Sequence, residues 1–232
     1  MLKSFKNINF ILNKNNSYFD LYKEDIANYW NDFSKNTPEV FNGEVISVFD
    51  IRNLNGYYNI TINIIKYCDV IYSKMVGNIK TRALFSGGYI LTNDNYIGFV
   101  IDKNNIVNLV GGMASTEDFI NDKYDSNLCM TREFKEEIGL DINSDKFDYN
   151  IVYIKYPKDS EDAMSYYPVG LIYEIKTDYS KDELNDLFNN LKHDNEINSI
   201  LFLKFDEHSN LGKYLKKDYI DELYNLIINK RR

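Results

Sequence analysis

The segment Arg132–Leu140 constrains the fold of this chain more than any other, because three carboxylates and one arginine crowd into its first six residues. If the segment is helical, Glu133, Glu136 and Glu137 stand at positions i, i+3 and i+4. These positions share one helix face, with Cβ atoms about 5–6 Å apart. Like charges at that spacing repel one another, so an ordinary surface helix gains nothing from them.

The same segment carries an apolar anchor and a stop signal. Phe134 and Ile138 lie four residues apart and give the opposite helix face an apolar stripe. Gly139 follows where a helix C-cap glycine belongs. We therefore predict a short helix, Met130–Ile138, buried on one side and acidic on the other. Hard divalent cations prefer carboxylate oxygens, so the acidic face is a candidate metal site; a solvated charged face is the alternative.

The region Gly111–Leu140 resembles the Nudix box, whose pattern is a glycine, five residues, a glutamate, seven residues, and then Arg-Glu-apolar-any-Glu-Glu-any-Gly-apolar. The second half of that pattern is matched at every specified position by Arg132–Leu140. In the first half, five residues after Gly111 comes Glu117, and five after Gly112 comes Asp118. Either acid can stand for the first glutamate of the pattern.

The first half also contains an insertion. Fourteen residues separate Glu117 from Arg132, where the family has seven. The additional residues, roughly 120–127, are polar and predict a longer loop or an extra helical turn. The insertion leaves the acidic helix intact and lies beside the predicted metal site.

The resemblance implies a metal-dependent hydrolase that cleaves the diphosphate bond of a nucleoside diphosphate linked to another group. Mg²⁺ or Mn²⁺ is the implied cofactor. The implied metal ligands are the three box glutamates and one backbone carbonyl: Glu133, Glu136, Glu137 and Gly111. Arg132 is implied to pair with Glu117 or Asp118 and so to orient the ligands.

A catalytic base is also implied, because in the family a further glutamate after the box often joins the metals or acts as the base. Glu196 stands in the expected place, and Glu161 is the second candidate. The catalytic residues predicted in this way are Glu133, Glu137 and Glu196.

The substrate is predicted from weaker features. Residues 1–80, here called the N-terminal extension, are rich in strand patterns, and several Nudix enzymes acting on nucleotide sugars carry such a region. Thr37–Gly43 weakly resembles a segment that precedes the fold in UDP-sugar-hydrolysing members. A nucleotide sugar or ADP-ribose is therefore the expected substrate, with Tyr166 or Tyr167 as candidates to stack on its base. The alternative function is a non-catalytic Nudix-fold nucleotide-binding sensor, although such domains usually lose a box glutamate.

The predicted fold class is α+β: a Nudix-type α/β/α sandwich with a mixed β-sheet and an extra N-terminal β-rich region. Residues 81–232 are predicted to form the Nudix domain, with the N-terminal extension packed on it. Alternation and helical spacing predict the principal elements. These are strands at Asn7–Leu12, Glu44–Ile51, Gly56–Ile65 and Ser199–Phe205, and helices at Asp20–Phe33, Ser180–Leu191 and Lys213–Ile228.

Composition limits the partners. The net charge of −8 and the pI of about 4.9 argue against general nucleic-acid binding, which needs basic surface, but not against a nucleotide substrate. No apolar run is long enough for a bilayer span, and the basic N-terminus lacks the apolar run of a signal peptide, so a cytoplasmic location is expected. Cys68 and Cys129 are expected to be reduced core thiols. A homodimer is plausible, because N-terminal β regions form dimer interfaces in related enzymes.

Overall fold

The computed structural model describes residues 1–14, 19–37, 40–76, 82–155, 168–204 and 211–231. Tyr166 and Tyr167, predicted to contact the base, lie outside the described residues, as does Glu161. Within the described residues, no helix is both long enough and apolar enough to cross a membrane.

The chain forms fourteen strands and five α-helices in the described residues. The strands are β1 Leu2–Lys3, β2 Asn7–Leu12, β3 Glu44–Leu54, β4 Tyr57–Lys66, β5 Arg82–Leu91, β6 Tyr96–Asp102, β7 Ile106–Asn108, β8 Val110–Met113, β9 Phe119–Ile120, β10 Lys123–Tyr124, β11 Phe147–Lys155, β12 Val169–Thr177, β13 Ile197–Lys204 and β14 Leu215–Lys216. The helices are α1 Lys23–Asn36, α2 Tyr67–Val76, α3 Ser126–Ile138, α4 Lys181–Asn190 and α5 Ile220–Arg231. Two 3₁₀ turns occupy Phe19–Tyr22 and Thr116–Asp118.

Strand β5 is the centre of the sheet. It pairs in parallel with β12 and antiparallel with β3, β6 and β8 at successive points along its length. Such a strand is covered on both faces, and β5 accordingly reads as a run of buried residues from Ser86 to Leu91. Because β3 belongs to the N-terminal extension and pairs with β5, strand β5 joins the extension to the rest of the sheet.

Helices cover both faces of this mixed sheet, which confirms the predicted α+β sandwich. On one face, α3 packs through Met130 and Phe134 against Leu84 and Leu171. The other face is covered by α5, whose apolar side chains share a second core with β5, β6 and β12. Alternate residues of the central strands therefore enter different cores, as the two-residue period of a strand requires.

The extension shares the sheet and the first core with the remainder of the chain. Ser47 and Val48 of β3 pair with β5, and Ile46 lies in the same core cluster as the residues of α3. The Ile46 N–H also donates to the Ala114 carbonyl at 2.8 Å, and Val45 bridges to Ser115. These bonds place the start of β3 directly beside the loop that follows β8.

Several element predictions were wrong in extent. Helix α1 spans Lys23–Asn36 rather than Asp20–Phe33, and strand β3 runs to Leu54 rather than Ile51. Helix α3 begins at Ser126 rather than Met130, because Asp125 caps it by accepting from the Asn127 N–H at 2.9 Å. The predicted helix Lys213–Ile228 starts only at Ile220. Leu215 and Lys216 instead form β14, an edge strand parallel to β7.

The insertion also differs from the predicted polar loop. Strands β9 and β10 form a hairpin whose two turn residues, Asn121 and Asp122, both have positive φ, as a type I′ turn requires. Tyr124 is buried and meets Phe10 of β2 edge to face, with ring centroids 4.8 Å apart. The Asp125 N–H donates to the Asp118 carbonyl at 2.8 Å and closes the hairpin at its base.

The Tyr124 contact gives the hairpin a measurable share of stability. Replacing Tyr124 with Ala should lower the free energy of unfolding by about 3 kcal/mol, because a buried aromatic ring leaves a cavity. Tyr57→Ala, at a 53% exposed position of the neighbouring β4, is the matched control and should cost less than about 1 kcal/mol. Urea denaturation measures both; equal losses would show that the hairpin is not anchored in this way.

Candidate active site

Helix α3 forms one wall of the candidate site, and its orientation follows from its two faces. Cys129, Met130, Phe134 and Ile138 are fully buried beneath it. Gly139 adopts the left-handed conformation with φ of 82°, and its N–H donates to the Lys135 carbonyl, which ends the helix. With the apolar stripe buried, the acidic face is directed toward the loop after β8.

The hairpin explains the unusual spacing of the signature. Residues 119–124 form the hairpin, and Asp118 and Asp125 are hydrogen-bonded across its base. When these six residues are set aside, five residues separate Gly112 from Asp118 and seven separate Asp118 from Arg132. Both intervals are those of the Nudix box. The chain thus carries the full spacing, interrupted by one inserted hairpin.

Of the two acids predicted to pair with Arg132, the structure pairs Asp118. The guanidinium donates from Nε to Asp118 Oδ1 and from Nη2 to Oδ2, each at 3.2 Å, in the bidentate geometry that favours arginine–carboxylate pairs. Asp118 is 1% exposed and also accepts from the Ser115 N–H at 2.8 Å. Glu117 is exposed, faces a cleft and takes no part in this pair.

The remaining donors of Arg132 connect the loop to the acidic helix. Nη2 donates to the Met113 carbonyl at 3.1 Å, while Nη1 meets Glu133 at 2.6 Å and Glu136 at 3.4 Å. One arginine therefore joins the end of β8, the 3₁₀ turn and two of the three box glutamates. These contacts are what an orienting role would need, and the role itself stays a prediction.

Two of the box glutamates are held in an environment that disfavours their charge. Glu137 is only 6% exposed and accepts from the Gly111 N–H at 2.6 Å. Burial raises the pKa of Glu137 to about 9, although the hydrogen bond from Gly111 acts to lower it. For Glu133, burial again dominates and raises the pKa to about 7, against the opposing charge of Arg132.

Two glycines make this close packing of strand and helix feasible. Gly111 has φ of 134°, and a Cβ there would collide with the Ser86 carbonyl. A Cβ on Gly112 would collide with the Glu133 carboxylate. Gly111 therefore lets β8 lie close to β5, and Gly112 lets it lie close to the acidic face of α3.

The donor set fits a hard divalent cation by its chemistry. Glu133, Glu136 and Glu137 lie on one face of α3, and Glu136 is 50% exposed at its edge. As placed, no three acidic, histidine or cysteine side chains among the described residues converge to hold an ion. The Glu133 carboxylate accepts from Arg132 and the Glu137 carboxylate accepts from the Gly111 N–H, so each has a hydrogen-bond donor of the chain where a cation would otherwise bind.

The loop before β13 brings two further acids toward the site. The Asp194 N–H donates to the Glu136 carbonyl at 2.8 Å, and the Asp194 carboxylate accepts from the Glu196 N–H at 3.0 Å. The charges of both residues act on Glu137. Glu196, a predicted catalytic residue, thus lies within electrostatic range of the acidic helix, with its side chain 65% exposed.

Asp194 is an acid of the site that sequence reasoning missed. It stands two residues before Glu196 in a short polar run, His193–Glu196, ahead of an apolar strand. That run was the only available signal, and it does not distinguish one acid from the other.

A cleft of about 670 Å³ opens beside the acidic helix. One side is formed by Arg132, Glu136 and the loop residues 115–117. The opposite side belongs to the N-terminal extension: residues 41–45 and the junction of β4 with α2. The volume lies within the range typical of small-molecule sites, so the cleft is the candidate substrate site.

Solved structures of Nudix proteins are among those similar in fold to this chain. No protein-family model matches it, and no curated protein matches it in sequence. A Nudix-family hydrolase from Clostridium perfringens is 12% identical, covering 65% of this chain and 99% of that chain, with a TM-score of 0.42. A Nudix hydrolase from Nitrosomonas europaea is 13% identical, covering 61% and 84%, with a TM-score of 0.40.

The NUDIX domain of NrtR from Shewanella oneidensis, solved with ADP-ribose, is a further neighbour. It is 10% identical, covers 72% of this chain and 100% of that chain, and has a TM-score of 0.41. At these identities and scores no activity or substrate is carried over. The functional assignment rests on this chain's own signature residues and their arrangement.

The assignment of Asp118, rather than Glu117, as the partner of Arg132 can be tested by the stability of variants of each acid. Asp118→Asn should lower the free energy of unfolding by about 2–3 kcal/mol, because it removes the charge of the buried acid that the guanidinium contacts through two hydrogen bonds. Glu117→Gln, one residue away and exposed, should change it by less than about 0.5 kcal/mol. Urea denaturation at neutral pH decides the matter, and the reverse order of effects would assign the pair to Glu117.

The raised pKa values predict how stability depends on pH when divalent cations are removed. The folded-state values of about 7 for Glu133 and about 9 for Glu137 lie above the ordinary 4.5, so the folded protein binds these protons more tightly than the unfolded chain. The contribution of these groups is therefore most favourable at low pH. It should decline as the pH rises from about 5 to about 9.

The measurement is chemical denaturation in EDTA across that pH range. Glu137→Gln lacks one of the two titrations and should show a smaller decline than the wild type. Adding Mg²⁺ at the alkaline end should restore part of the wild-type loss, because a bound cation favours the charged carboxylates. A wild-type profile no steeper than that of the variant would contradict the assignment.

Proposed function

We propose that this chain hydrolyses the diphosphate bond of a nucleoside diphosphate linked to another group, with Mg²⁺ or Mn²⁺ as cofactor. The observation that carries the proposal is the acidic face of α3, where Glu133, Glu136 and Glu137 stand beside a glycine-lined backbone. The bidentate Asp118–Arg132 pair fixes this face against the loop after β8.

The metal would be held by the three glutamates of α3 together with the Gly111 carbonyl. A divalent cation bound there neutralises phosphate charge and lowers the pKa of a bound water. The two more buried carboxylates, Glu133 and Glu137, are directed toward hydrogen-bond donors of the chain itself. Arg132 keeps Glu133 and Glu136 in place through direct contacts, as partners of metal ligands generally do.

The general base is proposed to be Glu196 or one of the box glutamates. The Glu196 side chain is 65% exposed, its carboxylate lies 4.0 Å from the Lys103 ammonium, and its backbone is anchored through Asp194 to Glu136. Asp194 therefore holds Glu196 in position relative to α3. A carboxylate so placed can accept the proton of the attacking water as the diphosphate bond is broken.

A nucleotide sugar or ADP-ribose remains the proposed substrate. The cleft has room for such a molecule beside α3. Its lining carries three carboxylates, Glu44, Glu117 and Glu136, against the cations of Lys66 and Arg132. An anionic substrate would be repelled by that surface alone, so the acidic cleft favours a reaction that needs added divalent cations.

The second candidate function is a nucleotide sensor that binds without cleaving. The presence of all three box glutamates, with their orienting arginine, favours catalysis over this alternative. A panel of UDP-sugars, ADP-ribose, dinucleoside polyphosphates and nucleoside triphosphates, assayed with Mg²⁺ or Mn²⁺, separates the two. Nucleotide binding with no hydrolysis of any member would support the sensor.

The catalytic assignment predicts a large effect from a small change. Glu137→Gln preserves shape but removes the charge, so it should lower kcat by about 10²- to 10⁴-fold, the range typical for loss of a catalytic acid or base. Circular dichroism should show an intact fold. Asp186→Asn, at an exposed position of α4, is the control and should retain wild-type turnover. Near-normal hydrolysis by Glu137→Gln in Mg²⁺ would refute the assignment.

A further inference from the structure

The wall of the cleft that faces the acidic helix comes from the N-terminal extension of the same chain. Residues 41–45 and the β4–α2 junction line it, and the bonds from Val45 and Ile46 to the loop after β8 hold it there. This wall contains no residue of the signature. Whatever it recognises is therefore a part of the ligand that the signature residues do not contact.

Phe41 is the most exposed large apolar side chain of the described residues, at 83%. Its ring lies over Gly43, where an added Cβ would come within 3.0 Å of Phe41 Cε1. An aromatic ring left in water at the mouth of a cleft is a flat surface available for stacking, and nucleobases stack on such rings irrespective of sequence. Gly43 is the residue that makes room for this placement.

Lys66 is the cation of the same wall. Its charge acts on Asp69, whose carboxylate accepts from the Lys66 backbone N–H at 2.9 Å, but within the described residues its ammonium forms no direct salt bridge. Lys66 lines the main cleft and also a second cavity of about 510 Å³ that extends toward Trp30 of α1. It therefore marks the junction between the two spaces.

These two residues complement a nucleotide. We propose that the extension forms a nucleotide-recognition wall, in which Phe41 stacks on the base and Lys66 contacts the adjacent phosphate. This inference rests on the proposed function for the identity of the site, and it deepens it by assigning base recognition to the extension. It also provides an aromatic partner within the described residues, where Tyr166 and Tyr167 were the sequence candidates.

The proposal is tested by binding of fragments to the whole protein in Mg²⁺, measured by isothermal titration calorimetry. The probes are AMP and UMP, which have a base, and inorganic pyrophosphate, which has none. Phe41→Ala should weaken AMP and UMP binding about tenfold and leave pyrophosphate binding within about twofold, because only the stacking partner is lost. Lys66→Ala should weaken all three probes about tenfold, because each has phosphate oxygens.

Conservative variants separate recognition from structure. Phe41→Tyr keeps the ring and should bind as the wild type does, whereas Phe41→Leu should resemble Phe41→Ala. Lys66→Arg should recover most of the phosphate affinity. Lys35→Ala, which removes an exposed lysine of α1 outside the cleft, should leave all three affinities unchanged. Both wall residues are exposed, so none of these changes should unfold the chain.

Hydrolysis kinetics give an independent readout. With any substrate that the wild type cleaves, Phe41→Ala and Lys66→Ala should raise KM about tenfold with kcat nearly unchanged, as loss of uniform binding does. If both variants are active and keep the wild-type KM, the proposed nucleotide-recognition wall is wrong, whereas the hydrolase assignment stands. An inactive wild type would overturn the proposed function. The AMP and pyrophosphate titrations would still show whether Phe41 and Lys66 recognise a nucleotide. Failure of the wild type to bind AMP and UMP, or a Phe41→Ala variant that binds them normally, overturns the inference.

Discussion

The bidentate pair between Arg132 and Asp118 is the interaction on which the rest of the site depends. Its acid is almost fully buried and its arginine also reaches the Met113 carbonyl, Glu133 and Glu136. The planar guanidinium thereby connects the end of β8, the 3₁₀ turn and α3. Its N–H donors have fixed directions, so they specify the orientation of each partner as well as its distance. Buried pairs of this kind add little net stability over an apolar substitute, but breaking one is costly. Here the pair fixes the arginine that holds Glu133 and Glu136 in place.

In helix α3, burial of the glutamates opposes their ionisation, and nearby hydrogen-bond donors favour it. Burial raises the pKa of both Glu133 and Glu137, so in the absence of a cation the folded chain binds protons at these groups more tightly than the unfolded chain does. The Gly111 N–H and the Arg132 guanidinium each offset part of that cost. A divalent cation would offset more, since it favours the charged carboxylates directly. This cost of burial supports the proposal that the acidic face binds a cation.

Much of this helix could be predicted from sequence because its determinants are local. Phe134, Ile138 and Gly139 set the buried face and the end of α3 through spacing alone, and the structure has them in those places. The hairpin could not be predicted in the same way. Tyr124 packs into a core whose members include Phe10, more than a hundred residues earlier, so a segment that is polar on average folds inward. Likewise β14 forms because β7 offers a free edge, a tertiary condition that overrides the helical spacing around Leu215.

The N-terminal extension meets the signature at two separate points, and this bears on why it is attached to the fold. Through Phe10 it supports the inserted hairpin, whose base is closed by Asp118 itself. Through Val45 it bridges to Ser115, whose N–H donates to the same Asp118 carboxylate. Both contacts therefore converge on the acid that fixes Arg132. The packing of the extension therefore contributes to the position of the acid that pairs with Arg132, and the same segment around Val45 lines the cleft.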